Sequence, residues 1–187
     1  MPRIIGMPYS PSVVSNAFVH HGRQSKRKFN HLEIQKLVFF AHCWSLTIAG
    51  ESVVAERPEA WPRGPIFASL YHRLKPFGPK AIPLLQELDA AAGRFAPLIP
   101  DLNDRHLWHF IEQVFDRYGK FTDRQLSALS HEPDGPWAAT RQARVVYMQD
   151  AVIHEHFTKK LNATAAGRQP DSSDAGGHSA SPDGRRS

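Results

Sequence analysis

The chain has 187 residues, 41% of them hydrophobic and 22% charged, with 23 basic against 18 acidic side chains and a formal net charge of +5. That is the composition of one soluble globular domain, long enough to bury about two-thirds of its unfolded surface without disulfide or metal staples. The single cysteine, Cys43, excludes an intramolecular disulfide framework and fits a reducing, cytoplasmic setting, and neither a membrane-length apolar run nor a signal-peptide core is present.

Residues 1–36 carry the whole positive excess, with Arg3, Arg23, Lys26, Arg27, Lys28 and Lys36 against Glu33 alone. The cluster Arg23, Lys26, Arg27 and Lys28 reads as a solvated loop between helices or, alternatively, as a contact for phosphate or an acidic surface. Ser10-Pro11 suits an N-cap with proline at the first helical position, opening a helix to about Gly22 with Val13, Val14, Ala17 and Phe18 on one face. Asn30-His-Leu-Glu33 has the spacing of a capping box and starts a helix that runs to Gly50. Apolar residues from Ile34 to Ile48 cover nearly every face of that helix, so it is expected to be central and buried.

Ser52-Val-Val54 with Pro58 and Pro62 predicts an extended segment or short β-hairpin over 51–63. Gly64-Pro65 is then expected to open a helix through Ile66, Leu70 and Leu74, ended by Pro76 and Gly78. A short apolar helix is expected around Ile82–Leu88, followed by an amphipathic helix from Leu102 to Tyr118 closed by Gly119. Thr122-Asp-Arg-Gln125 is a second capping-box signature, Pro136-Trp137 a further helix start, and Val145–Met148 reads equally as extended or helical. A last helix is expected from Asp150 to Leu161, using Ala151, Val152, His154 or Glu155, and Phe157. From Ala163 onward alanine is the only apolar residue, which predicts a disordered tail over 163–187. The expected fold is mainly α, a compact single-domain helical bundle around a central helix at about 30–49.

Chemistry is sparse. His106, His109 and Glu112 share one helical face at metal-ligand spacing, but they also flank an apolar stripe, and no HExxH motif or cysteine pair accompanies them. No metal or cofactor is expected. Cys43 lies in an apolar helix and reads as a buried, inert thiol, while His154 and His156 read as surface residues. No nucleophile elbow, phosphate loop or dinucleotide fingerprint occurs, so an enzyme is not expected. Two segments instead place a tryptophan beside a Gly-Pro bend: Trp61-Pro-Arg63-Gly64-Pro65 with Tyr71, and His131 with Gly135-Pro136-Trp137. Such residues set helix entries and fill core volume, and they also suit a recognition surface.

The order of these features resembles the Panacea domain family, which includes SocA-type antitoxins and many phage-associated proteins. The likeness runs through Met7-Pro-Tyr-Ser10, Lys36-Leu-Val-Phe-Phe-Ala-His-Cys-Trp44, Glu59-Ala-Trp61, Gly64-Pro65-Ile66, Tyr71, Phe77-Gly78, Tyr118-Gly119, Leu126-Ser127, Leu129, His131, Pro136-Trp137 and Arg141. It covers about residues 7–160. Pro62-Arg63 and Phe39-Phe40 depart from the usual pattern, and a change at Arg63 bears on partner choice. The resemblance implies a Panacea-like domain over 7–162, with residues 1–6 as a leader or alternative start. It implies an antitoxin that neutralises a cognate protein toxin from an adjacent gene, by binding it or by presenting it to a cytosolic protease. Trp61, Arg63, Gly64, Pro65, Tyr71, His131 and Trp137 are the expected partner-binding residues. The competing expectation is a nucleic-acid-binding accessory protein using Arg23–Lys28, whose affinity would fall steeply with salt.

Overall fold

Asn30 and Glu33 form the expected reciprocal cap: Asn30 Oδ1 accepts from the Leu32 and Glu33 amides at 2.9 and 3.0 Å, and Glu33 Oε2 accepts from the Asn30 amide at 2.9 Å. In the computed structural model, which describes residues 8–89 and 93–166, this cap opens α2, His31–Ala49. Gly50 ends it at φ +71°, a left-handed conformation that glycine adopts without strain. Every residue from Glu33 to Leu46 is buried, so α2 is the axis of the fold. The other helices are α1 (Pro11–Gln24), α3 (Ala68–Leu74), α4 (Arg105–Tyr118), α5 (Asp123–Ser130), α6 (Pro136–Gln142) and α7 (Asp150–Ala166). Two antiparallel hairpins complete the described residues, β1 (Glu59–Trp61) with β2 (Gly64–Ile66), and β3 (Gln86–Asp89) with β4 (Arg94–Pro97). The fold is mainly α.

The apolar side of α2 meets α4 and α7 through aromatic packing. Phe40 stacks on Tyr118 with centroids 4.2 Å apart, Trp44 packs edge-on to Phe157, and Trp44 Nε1 donates to the Tyr118 hydroxyl at 2.9 Å. The polar residues of α2 turn to the chain that follows the helix. Ser45 Oγ accepts from the Val53 amide at 2.9 Å, and Gln35 brackets the Phe67 peptide, accepting from its N–H and donating to its carbonyl. His42 Nε2 donates to Asp150 at 3.3 Å and its Nδ1 lies 2.7 Å from Ser52 Oγ, joining the turn after α2 to the start of α7. That hydrogen bond holds the Asp150 carboxyl below its ordinary value.

Several expected elements are placed differently. The first hairpin spans Glu59–Ile66 rather than 51–63, so Gly64-Pro65 begins a strand and the helix starts only at Ala68. Pro65 opposes Ala60 at a position without cross-strand hydrogen bonds, where its missing N–H costs nothing. Residues 82–88 form no helix: Ile82 N donates to Phe29 O, and the extended chain is gripped by Asn16. Asp104 caps α4 by accepting from the Leu107 amide at 3.0 Å, so the helix begins three residues after Leu102, which is exposed. The inward face of α7 is Ile153 and Phe157, one turn apart, while Ala151 and Val152 face solvent. His156 is half-buried against Glu132 instead of lying on the surface. α7 continues through residues 163–166, and the rest of the expected tail, 167–187, lies outside the described residues, as does the expected leader, 1–6.

Asn16 shows how α1 orders the second hairpin. Its Nδ2 donates to the carbonyls of Leu85 and Leu98 at 2.8 Å each, and its Oδ1 accepts from the Leu85 amide at 2.7 Å. Replacing it removes the partners of three backbone groups at once, in a nearly closed site. Asn16→Ala is expected to lower the unfolding free energy by about 3 kcal/mol in urea melts. Asn16→Asp is expected to cost at least as much, because a carboxylate then faces two carbonyls.

Candidate partner-binding site

The hairpin turn between Trp61 and Gly64 is the centre of the site. Neither Pro62 nor Arg63 has a positive φ, so the left-handed residue the hairpin needs follows the turn, at Gly64 with φ +102°. Gly64 is required for space as well. A Cβ there would lie 2.5 Å from Lys36 Nζ and 2.6 Å from His131 Cε1. Lys36, buried on α2, donates from Nζ to Pro65 O at 2.9 Å and to Arg63 O at 3.4 Å. No carboxylate accompanies it in those bonds, and burial pushes its amine down to about 7.

The loop between α5 and α6 closes on the same turn. His131 caps the end of α5 with its Nδ1 bonded to the Ser127 carbonyl, and its ring packs on Trp137 with centroids 4.1 Å apart. Trp137 Nε1 donates to Trp61 O at 2.9 Å. Glu132, the next residue, takes Lys160 and His156 of α7, which fixes the loop from behind. Trp61 is half-buried, its Nε1 donating to Glu59 Oε2 at 2.7 Å and its ring 4.9 Å from that of Tyr71.

All seven residues singled out from the sequence therefore meet in one cluster, with a division of roles. Gly64 and Pro65 are buried, and His131 and Trp137 hold the hairpin from inside. Pro62 and Arg63 are exposed at the tip, with Trp61 and Tyr71 beside them. The Arg63 guanidinium has no hydrogen bond or ion pair among the described residues. Lys36, Trp61, Arg63 and Tyr71 line a cleft of about 420 Å³ together with His31. His31 Nδ1 is buried with no hydrogen-bond partner among the described residues, and burial lowers the pKa of that ring. Lys36 was not among the expected site residues, although it heads the Lys36–Trp44 run of the family likeness and is a lysine at the start of an otherwise apolar stretch.

The basic cluster divides differently. Arg27 is committed internally: Nε donates to Gly119 O at 3.0 Å, its guanidinium pairs with Glu33 at 2.8 Å, and it also reaches Phe121 O. Arg23, Lys26 and Lys28 remain exposed, and none of the four lines the clefts beside Trp61. His109 and Glu112 are exposed and 3.5 Å apart, and no group of three potential metal ligands gathers among the described residues. Cys43 is fully buried, and burial raises its thiol pKa.

Residues 34–138 match the family model described as "Antitoxin SocA-like, Panacea domain". The chain is similar to "Antitoxin SocA" of Caulobacter vibrioides (strain NA1000 / CB15N), with 30% identity over 140 residues, covering 73% of this chain and 74% of that protein. No solved structure matches the chain. The seven clustered residues lie within the matched stretch, whereas Arg23, Lys26, Arg27 and Lys28 precede it.

The Lys36 amine makes stability depend on pH in a definite direction. In the unfolded chain it titrates near 10.5, against about 7 when folded. Between those values the unfolded chain holds one proton more than the folded chain, so the unfolding free energy rises with pH, by up to about 1.4 kcal/mol per unit. Below pH 7 both states carry the proton and this contribution is flat. Urea melts at pH 7, 8 and 9 are expected to show this rise in the wild type and to lose it in Lys36→Met. Equal slopes in the two proteins would contradict the assignment.

Proposed function

The chain belongs to the SocA-like antitoxin family of Panacea-domain proteins, and we propose that it neutralises a cognate protein toxin by direct binding. The toxin is the product of an adjacent gene, and the chain acts in the cytoplasm as a binder with no catalysis of its own. The observation that carries this reading is the hairpin tip. A free guanidinium, an exposed proline and two half-exposed aromatic rings sit on a turn that Lys36, His131 and Trp137 hold from three sides.

Tryptophan, tyrosine and arginine are the residues that dominate binding energy at protein interfaces, and they do so best when they are pre-ordered. A tip fixed by hydrogen bonds from the core loses little freedom when a partner closes on it. The adjoining cleft, with its unpartnered His31 Nδ1, offers room for a side chain of that partner. Bound there, the toxin is blocked directly, and the complex is also the form in which a cytosolic protease would receive it. No helix among the described residues is long and apolar enough to cross a bilayer.

Co-expression with the neighbouring open reading frame tests the reading. The neighbour alone is expected to arrest growth, and the chain is expected to restore growth and co-purify with it. Arg63→Glu, at an exposed position, is expected to leave the melting temperature unchanged and to weaken the complex by about 2 kcal/mol, roughly 30-fold in Kd. Trp61→Ala is expected to weaken it further, with some loss of stability. A harmless neighbour, or rescue without a complex, would overturn direct neutralisation.

A further inference from the structure

Trp61 and Pro62 also line a second cleft, of about 470 Å³, whose far wall is Arg141, Arg144, Val145 and Val146. Its charged lining is two arginines and no carboxylate. The nearest acid on β1, Glu59, is engaged by the Trp61 indole. Arg141 belongs to α6 and Arg144 to the turn after it, and the chain that follows is added to the first hairpin: Ala60 N donates to Val146 O at 2.9 Å and Met148 N to Pro58 O at 2.9 Å. Tyr147 thus opposes Glu59 at a position without cross-strand hydrogen bonds, and its own N–H and C=O turn to the open edge. The Tyr147 N–H has no partner among the described residues, and its carbonyl takes only a 3.4 Å bond from the Gln149 side chain. Val145, Val146 and Tyr147 are each about half exposed (50%, 56% and 52%).

A second observation concerns the backbone. Arg144 sits at φ +55°, just past the end of α6, where its N–H returns to Arg141 O. Helix ends commonly need one left-handed residue, and glycine supplies it without strain. Here the position holds an arginine instead, on the rim of the cleft. The arginine at this position therefore carries a backbone cost that glycine would not.

We propose that this cleft takes an acidic segment of the toxin, which sets carboxylates against Arg141 and Arg144 and apolar side chains against Val145 and Val146. The inference rests on the antitoxin reading and names a second contact surface beside the Arg63 tip. Trp61, Pro62 and the exposed valines supply apolar contact for the segment, and the arginines select for acid. A nucleic acid would use the arginines but not the two valines of the far wall, so an acidic peptide with apolar residues fits the whole lining.

An overlapping peptide array of the adjacent gene's product, probed with the full chain, tests this directly. The wild type is expected to bind a few peptides in which carboxylates alternate with apolar residues. Arg144→Gly removes the guanidinium and relieves the backbone, so its melting temperature is expected to stay level or rise while peptide binding falls at least tenfold. Arg144→Glu is expected to abolish the binding. Three results would overturn the proposal: no bound peptide, bound peptides without acidic residues, or Arg144 variants that bind as the wild type does. Displacement of the peptides by a single-stranded oligonucleotide with higher affinity would overturn it too. Growth rescue by the wild-type chain separates the two readings. Rescue together with any of those results leaves the antitoxin reading standing without this surface, whereas no rescue and no complex removes both.

Discussion

A single buried amine ties the central helix to the hairpin turn that carries Arg63. Lys36 Nζ crosses from α2 to the carbonyls of Arg63 and Pro65, and the rest of the first hairpin is arranged around that crossing. Gly64 lacks a side chain because the amine and the His131 ring occupy the space one would need. Pro65 can stand in a strand because its carbonyl, not its absent N–H, is the group put to use. Burying an ammonium is costly when only neutral carbonyls receive it, and the depressed pKa of about 7 expresses that cost. A hydrophobic residue would pack at least as well at this point of α2. What it would not do is hold two turn carbonyls in register.

The same logic extends along α2. Gln35, Lys36, His42 and Ser45 each set at least one polar atom against the chain between Ser52 and Phe67. A helix buried on every side thereby positions a segment with little regular structure of its own. The Trp137 indole and the His131 ring complete the grip from the α5–α6 loop, which α7 fixes through Glu132. The outcome is a short turn held by four helices, with an arginine free at its tip. Under the proposed function, that rigidity lowers the ordering cost of a complex formed at the tip.

Much of this frame was readable from residue patterns. Both capping boxes, at Asn30–Glu33 and Thr122–Gln125, form as their spacing requires, and the proline starts of α1 and α6 hold. These are local rules, set by three or four neighbouring residues. The errors fall where distant groups decide. Gly64-Pro65 has the local look of a helix start, but its conformation answers to Lys36 and His131. Ile82–Leu88 has apolar content enough for a helix, but Asn16, far earlier in the chain, claims its backbone. Arg27 belongs to an apparently free basic cluster, yet it reaches across to Gly119 and Glu33. Trp61, Arg63, Tyr71, His131 and Trp137 were identifiable as candidates by composition and family likeness. Their convergence, and the lysine beneath them, depend on tertiary contacts that no spacing along the chain expresses.

The central claim is that the toxin closes on the hairpin tip that Lys36 holds. Amide hydrogen exchange of the full chain, alone and with the adjacent gene's product, tests it most directly. The account predicts new protection at residues 59–66, strongest at the exposed Arg63 amide, with little change at 23–28. Protection confined to 23–28, or a stable complex that leaves 59–66 exchanging as in the free chain, would contradict it.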